Sequence, residues 1–160
     1  MIEHLKKNAF EVALFEPEIP ANTGNIIRLS ACLGITLHLI HPLGFNFDDK
    51  HLKRAGLDYH DLVEIKHHLN FDIFLKKTAK QRIIALSTKA QKCLWEMTYT
   101  PGDVFLFGPE SRGLPTFILD QLHDSLIKIP MNVGVRSLNL SNAVAITSYE
   151  AARQLHHQLL

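Results

Sequence analysis

Residues 17–28, 108–115 and 129–142 contain the polar side chains of this 160-residue chain whose types and spacing could support chemistry. Each segment follows a short apolar run of the kind that forms a buried β-strand. Open α/β sheets bind ligands at the carboxyl ends of their strands, and the N-termini of the helices that follow favour anions. The three segments therefore predict a polar ligand site at one edge of a sheet.

The first segment carries two asparagines and an arginine around a predicted helix start. Pro20 is followed by Asn22 and Thr23, which are good N-cap residues, so we expect a helix to begin there with free N–H groups. Asn22 and Asn25 would then lie near the ligand, with Arg28 about one turn further along the helix. A capped turn with a surface arginine is the simpler interpretation of this segment taken alone.

The second segment, Gly-Pro-Glu-Ser-Arg-Gly-Leu-Pro, combines glycines and prolines that are costly unless a particular backbone shape is needed. It lacks the GxxxxGK(S/T) pattern of a P-loop. The chain also has no GxGxxG after its first strand, which argues against ordinary Rossmann nucleotide binding. The alternative interpretation is that Glu110 and Arg112 form an ordinary surface ion pair.

Four small polar residues are concentrated near the end of the third segment. They are Ser137, Asn139, Ser141 and Asn142. A helix needs one such side chain as its N-cap, so the surplus predicts hydrogen bonds to a polar ligand. Helix capping alone is the alternative.

The elements that position these segments alternate between strand and helix patterns. Apolar runs without polar alternation, typical of strands in a parallel sheet, occur at 10–15, 36–40, 62–65, 82–87, 104–107 and 126–129. Helical patterns occur at 24–33, 49–55, 71–79, 116–122 and 140–159. We therefore predict an α/β fold, a mainly parallel sheet with helices on both faces, in one domain spanning residues 1–160.

The first half of the last predicted helix is apolar around most of its circumference, which predicts burial on more than one side. A second subunit or the rest of the same chain could provide the second contact.

Composition limits the classes of partner. The formal net charge is +1, so no molecule-wide basic field attracts nucleic acid, and RNA would have to bind local clusters such as Lys50, Lys53 and Arg54. Solvated surface charge is the alternative for such clusters. The two cysteines form no CxxC and predict neither a disulfide nor a metal site. The sequence shows no secretory leader or membrane span, so we expect a cytoplasmic protein.

Taken together, the three segments resemble the motifs of the SPOUT class of RNA methyltransferases, in its 2′-O-ribose branch. The matching stretches are NTGNIIR, FGPESRGLP and IPMNVGVRSLNLSNAVAI, in that order. Similarity in PEIPANTGNIIRL and GFNFDDKHLKRAGLDYHDL narrows the resemblance to small members that methylate the wobble nucleotide of tRNA. Ser111 stands where many relatives have threonine, and both hydroxyls can make the same hydrogen bonds.

The resemblance implies a fold and a reaction. It implies a C-terminal trefoil knot and a homodimer formed through the C-terminal helix and the knot region. It also implies that S-adenosylmethionine donates a methyl group to the ribose 2′-hydroxyl of C34 or U34 in tRNA, leaving S-adenosylhomocysteine. The alternatives are a 2′-O-methyltransferase for another tRNA or rRNA position, and a non-catalytic RNA-binding module with the same fold.

The resemblance also implies roles for individual residues. The implied cofactor-binding residues are Leu86, Gly108, Glu110, Ile129, Met131, Ser137, Leu138 and Asn142. The implied catalytic residues are Arg28, Asn22, Asn25, Glu110, Ser137 and Asn139. The candidates for contacts with RNA phosphates are Arg112, Arg136, Lys50, Lys53 and Arg54. Arginine is a poor general base because its pKa exceeds about 12. We therefore expect Arg28 to hold a phosphate or stabilise the developing alkoxide, while Gly108 would let a ligand approach the backbone.

Overall fold

The secondary structure of the protein follows the alternation predicted from the sequence. The computed structural model describes residues 6–56 and 59–158. Its strands are β1 (Glu11–Phe15), β2 (Thr36–Ile40), β3 (Ile65–His68), β4 (Ile83–Leu86), β5 (Val104–Phe107) and β6 (Leu126–Ile127). Its α-helices are α1 (Pro20–Leu33), α2 (Lys50–Gly56), α3 (Phe71–Lys77), α4 (Thr116–Gln121) and α5 (Leu140–Gln158).

The six strands form one sheet in the order β3-β2-β1-β5-β4-β6. Every pairing between the strands described above is parallel, which confirms the predicted parallel α/β sheet. In the centre of the sheet, Val12 of β1 is aligned with Leu37 on one side and with Phe105 on the other. Because the strands are parallel, all of their carboxyl ends meet at the same edge of the sheet.

Alternate residues of β1 enter two different hydrophobic clusters. Val12 and Leu14 belong to a cluster that includes residues of α1 and α5. Ala13 and Phe15 belong to a second cluster, which includes residues of α3 and α4. Successive side chains of a strand point to opposite faces, so this division shows apolar packing on both sides of β1.

Two predicted elements begin three or more residues away from the observed start. The predicted strand at 62–65 ends where β3 begins, because Leu62 lies in a 3₁₀ turn and is exposed. The first helix begins at Pro20 rather than at residue 24, with Ile19 as its N-cap and proline in its first turn. The predicted N-cap residues Asn22 and Thr23 therefore lie inside α1. Within the described residues, no helix combines the length and the apolar character needed to cross a membrane.

Candidate functional site

A cavity of about 520 Å³ opens where the chain leaves β4 and β5 at their carboxyl ends. The same cavity is bounded by the segment between β6 and α5 and by the start of α1. Its lining includes these residues of the predicted cofactor set: Leu86, Gly108, Glu110, Ile129, Met131, Ser137 and Leu138. The structure thus brings the three polar segments to one edge of the sheet.

Glu110 in this cavity is bound to the two residues that lead into α1. One carboxylate oxygen accepts the backbone N–H of Glu18 at 2.7 Å, and the other accepts that of Ile19 at 3.0 Å. No side-chain hydrogen bond from the N-cap residue Ile19 itself caps this helix. The carboxylate therefore satisfies the backbone N–H groups of the N-cap residue and of the residue before it, at the end of the helix that favours negative charge.

Asn22 joins all three polar segments through its buried amide. Its Nδ2 donates to Glu110 at 3.4 Å, and its Oδ1 accepts from Nδ2 of Asn139 at 3.0 Å. The Oδ1 atom of Asn139 in turn accepts the backbone N–H of Ser141 at 2.9 Å and its hydroxyl at 2.6 Å. A chain of hydrogen bonds therefore runs from the loop after β5, through α1, to the first turn of α5.

Two acidic residues after β1 hold the loop that follows β5. Glu18 accepts the hydroxyl of Ser111 at 2.8 Å and the backbone N–H of that residue at 3.2 Å. Arg112 donates to Glu16 at 2.5 Å, and its Nε lies 3.8 Å from Glu18. Glu110 of the second segment binds the backbone of the first segment, and Glu18 of the first segment binds Ser111 of the second. The two segments are therefore held together by a carboxylate from each.

Gly108 is required by the shape of this loop. A Cβ atom there would lie 2.3 Å from the backbone nitrogen of Leu114 and 2.4 Å from the carbonyl carbon of Gly113. The absence of a side chain therefore lets the loop close on its own backbone. This contact differs from the predicted reason, which was close approach of a ligand.

The segment before α5 offers hydrogen-bonding groups to the cavity. Among the described residues, neither the hydroxyl of Ser137 nor the backbone N–H groups of Arg136, Ser137 and Leu138 has a hydrogen-bond partner. These residues line the cavity and are exposed to solvent. The arrangement can therefore bind a ligand that combines apolar surface with several polar acceptors.

Several predicted site residues lie outside the cavity lining. Arg28 is exposed on the α1 face that carries Gly24 and meets α2, and its guanidinium lies over the ring of Tyr59. Asn25 is exposed on α1, three residues before that arginine. Asn142 is exposed in the first turn of α5, where its backbone N–H donates to Asn139 at 3.3 Å. The cations Lys50, Lys53 and Arg54 are exposed on α2.

The sequence interpretation missed other residues that line or build the site. Ser87, Thr88 and Lys89 line the cavity directly after β4, so the rule that ligands bind at strand carboxyl ends could have identified them. The same rule could have identified Glu16 and Glu18, because they follow β1. Their partners lie more than 90 residues away, and no local pattern reveals such a pairing.

Comparison with known proteins identifies the family. The SpoU rRNA Methylase family matches residues 9–149. A tRNA (cytidine(34)-2′-O)-methyltransferase of Yersinia pestis is 54% identical over 150 residues, covering 90% of this chain and 93% of the relative. A solved structure concerning 2-OH methylation of C/U34 on tRNA has a TM-score of 0.89 and 46% identity, covering 92% of this chain and 97% of its own.

An AdoMet-bound rRNA methyltransferase from Sinorhizobium meliloti also shares the fold, with a TM-score of 0.82 and 25% identity. The match covers 94% of this chain and 58% of that longer one. These matches confirm the resemblance drawn from the three sequence motifs. The chain belongs to the SpoU rRNA methylase family.

Proposed function

We propose that the protein transfers a methyl group from S-adenosylmethionine to the ribose 2′-hydroxyl of the wobble nucleotide of tRNA, C34 or U34. The observation that carries this proposal is the 54% identity to a tRNA (cytidine(34)-2′-O)-methyltransferase over nearly the whole length of both chains. The family match at 9–149 includes every residue of the cavity lining. The proposed place of action is the cytoplasm, where tRNA is used.

The cavity has the mixture of groups that S-adenosylmethionine requires. Leu86, Ile129 and Leu138 supply apolar surface for the adenine ring, and Met131 and Gly108 line the same space. The unpartnered hydroxyl of Ser137 and the neighbouring N–H groups can bind ribose hydroxyls or the carboxylate. When bound, the cofactor supplies a methyl group that is already activated on a sulfonium. The residues of the protein then have to align the acceptor and assist loss of its proton.

In this proposal the chain of hydrogen bonds through Asn22 positions the loops that form the cavity. Glu110 and Asn139 are occupied by protein partners, so in this proposal they set the shape of the cavity rather than touch the reacting atoms. Asn142 contributes through its bond to Asn139. Among the predicted catalytic residues that line the cavity, Ser137 has a side-chain hydroxyl that is free to bind a ligand.

Arg28 is proposed to bind a phosphate of the RNA. Six residues separate it from Asn22, which corresponds to about 9 Å along a helix that rises about 1.5 Å per residue. This separation and its position outside the cavity favour phosphate binding over direct contact with the reacting 2′-oxygen. The proton would then pass to a phosphate oxygen or to water. Asn25 lies three residues earlier on a neighbouring part of the helix surface and can bind the same nucleotide.

The proposed RNA surface combines α1 and α2 with the mouth of the cavity. Lys50, Lys53 and Arg54 are exposed on α2, which packs against the helix that carries Arg28. Arg136 lines the cavity and is exposed. Because the net charge of the chain is only +1, these local clusters have to provide the attraction for tRNA.

We further propose the remaining family features of the fold. These are one methyltransferase domain over residues 1–160, helices on both faces of the sheet, a C-terminal trefoil knot and a homodimer. The two hydrophobic clusters on opposite sides of β1 support the helix placement. Val133, Val135, Ile146 and Tyr149 are exposed apolar residues in and near α5, and they support the dimer.

The direct test is transfer of labelled methyl from S-adenosylmethionine to unmodified tRNA, followed by mass mapping of the methylated nucleotide. We expect a ribose methyl at nucleotide 34. Methylation at another nucleotide would favour a different tRNA or rRNA target. Tight cofactor binding without transfer to any tRNA would contradict the enzyme and favour the non-catalytic RNA-binding module.

The role of Arg28 has its own prediction. Arg28→Ala should abolish turnover and leave the affinity for S-adenosylmethionine nearly unchanged, because the side chain lies outside the cavity lining. Turnover and cofactor affinity are measured by methyl transfer and by calorimetry. A parallel loss of cofactor binding would contradict the assigned role.

A further inference from the structure

The guanidinium of Arg28 is restrained by an aromatic ring. Its Cζ atom lies over the ring of Tyr59, 5.2 Å from the centroid. Within residues 6–56 and 59–158, this guanidinium has no salt bridge and no hydrogen bond with another side chain or with the backbone. The ring is therefore the contact that limits where this cation can point.

A close crossing of two helices brings the ring to this position. A Cβ atom on Gly24 of α1 would lie 2.6 Å from the carbonyl oxygen of Leu52 and 2.6 Å from Cβ of Ala55. A Cβ atom on Gly56 would lie 3.0 Å from the carbonyl oxygen of Gly24. The two glycines therefore permit the end of α2 to lie directly against α1.

The same crossing explains why Tyr59 meets Arg28. Arg28 follows Gly24 by four residues, so the two lie on the same face of α1 about one turn apart. The backbone N–H of Tyr59 donates to the carbonyl of Gly56 at 3.1 Å, which holds Tyr59 next to the glycine that contacts α1. The glycine pair thus fixes the register between the arginine and the ring.

We propose that Tyr59 is a positioning residue that presents Arg28 to the RNA phosphate, an inference that rests on the function proposed above. A carboxylate that held this arginine would occupy the N–H groups that a phosphate needs. A ring attracts the cation through its π face and leaves the in-plane N–H donors free. The ring therefore restricts the side chain before RNA binds without competing for its hydrogen bonds.

The test compares variants that keep or remove the ring. Tyr59→Phe should retain kcat/KM for tRNA within about twofold, whereas Tyr59→Leu should lower it by about fivefold to tenfold, in line with the strength of cation–π contacts. The affinity for S-adenosylmethionine should be unchanged in both variants. Tyr59→Met, which retains apolar bulk without a ring, replaces the leucine variant if the latter melts at a lower temperature than wild type.

A double-mutant cycle on tRNA affinity completes the experiment. In an Arg28→Ala background, Tyr59→Leu should cause no further loss, because the ring acts through the arginine. Equal losses in Tyr59→Phe and Tyr59→Leu, or an additional loss in the alanine background, would overturn the inference. If Arg28→Ala is inactive while Tyr59→Leu equals wild type, this inference fails and the proposed function stands. Full activity of Arg28→Ala would instead overturn the phosphate-binding role assigned to Arg28.

Discussion

Asn22 uses both ends of its amide to hold the site together. It is buried, its Nδ2 binds Glu110 and its Oδ1 binds Asn139. Removing the side chain would take one hydrogen-bond partner from the half-buried Glu110 and one from the exposed Asn139, which lie on two separate loops. Each hydrogen bond contributes about 0.5–1.5 kcal/mol net to the stability of a folded protein, and Asn22 makes two of them.

Asn22→Ala should therefore lower the free energy of unfolding by about 1–3 kcal/mol and weaken cofactor binding, because the loops that form the cavity lose their common link. Urea denaturation and calorimetry measure the two effects. Asn25→Ala is the matched control for stability, since this residue is exposed on the same helix and should change the free energy by less than about 0.5 kcal/mol. Equal stability of the two variants would contradict the role given to Asn22.

At the scale of elements, β1, β2 and β3 share a chain of ionisable side chains. His38 lies 2.6 Å from the carboxylate of Glu11 through Nε2 and 2.8 Å from His68 through Nδ1. The geometry assigns Nε2–H of His38 as donor to the carboxylate, which leaves Nδ1 to accept from Nε2–H of His68. Burial and the neighbouring His38 lower the pKa of His68 from 6.5 to about 4.

The lowered pKa of His68 predicts a loss of stability in mild acid. Between pH 6.5 and about 4 the unfolded chain takes up a proton at this residue and the folded chain does not, so the folded state is fully favoured only above this window. The melting temperature should fall as pH drops through it. Burial also lowers the pKa of His67, which adds a change of the same sign.

His68→Gln should flatten this pH dependence, because glutamine has no proton to gain. Melting temperatures measured at several pH values from 7.5 to 5 provide the test. His123→Gln, a change at an exposed histidine, is the control and should retain the slope of wild type. An undiminished slope in His68→Gln would show that other groups cause the acid sensitivity.

The sequence predicted best the strands that are apolar on both faces. β2 and β5 begin and end at the predicted residues, because every residue in them is buried. β3 was misplaced because it lies at one edge of the sheet, where Lys66 and His67 are exposed and the apolar pattern disappears. Hydrophobic periodicity detects burial, and an edge strand has too little of it.

The start of α1 shows why part of the site could not be predicted. The sequence favoured a local N-cap side chain, whereas the group that binds the backbone leading into α1 is Glu110, about 90 residues further along the chain. The sequence could group the three polar segments at one edge because each follows a predicted strand, and open α/β sheets bind ligands at the carboxyl ends of their strands. The hydrogen bond between Glu18 and Ser111 and the contact between Arg28 and Tyr59 depend on tertiary packing, which no local sequence pattern reveals.

For the whole molecule, the exposed apolar residues of α5 bear on assembly. Ile146 and Tyr149 are three residues apart and both are exposed, so they form part of one helix face. A helix that is buried against the first hydrophobic cluster on one side and apolar on another is typical of a subunit contact. This face is the proposed centre of the homodimer.

Tyr149→Glu should therefore yield monomers with weak methyltransferase activity, because a buried unpaired carboxylate disfavours the contact. Sedimentation velocity measures the assembly. Gln121→Glu adds the same charge at an exposed position of α4 and should leave the assembly as in wild type. A Tyr149→Glu protein that sediments as the wild-type dimer would refute the proposed interface.

Arg112, which the sequence predicts as a contact to an RNA phosphate, is already paired with Glu16. A lone cation that binds a phosphate releases about one condensed counterion from the nucleic acid, and this release sets how steeply affinity falls with salt. To bind an RNA phosphate, Arg112 would have to give up the carboxylate of Glu16. It would therefore contribute little to the dependence of affinity on salt concentration. Glu16→Gln should steepen the plot of log Kd against log salt by about 0.7–0.9, as titration of tRNA binding can measure. An unchanged slope would mean that Arg112 remains with the protein and that its ion pair, with Glu18 close by, fixes the loop in the complex as well.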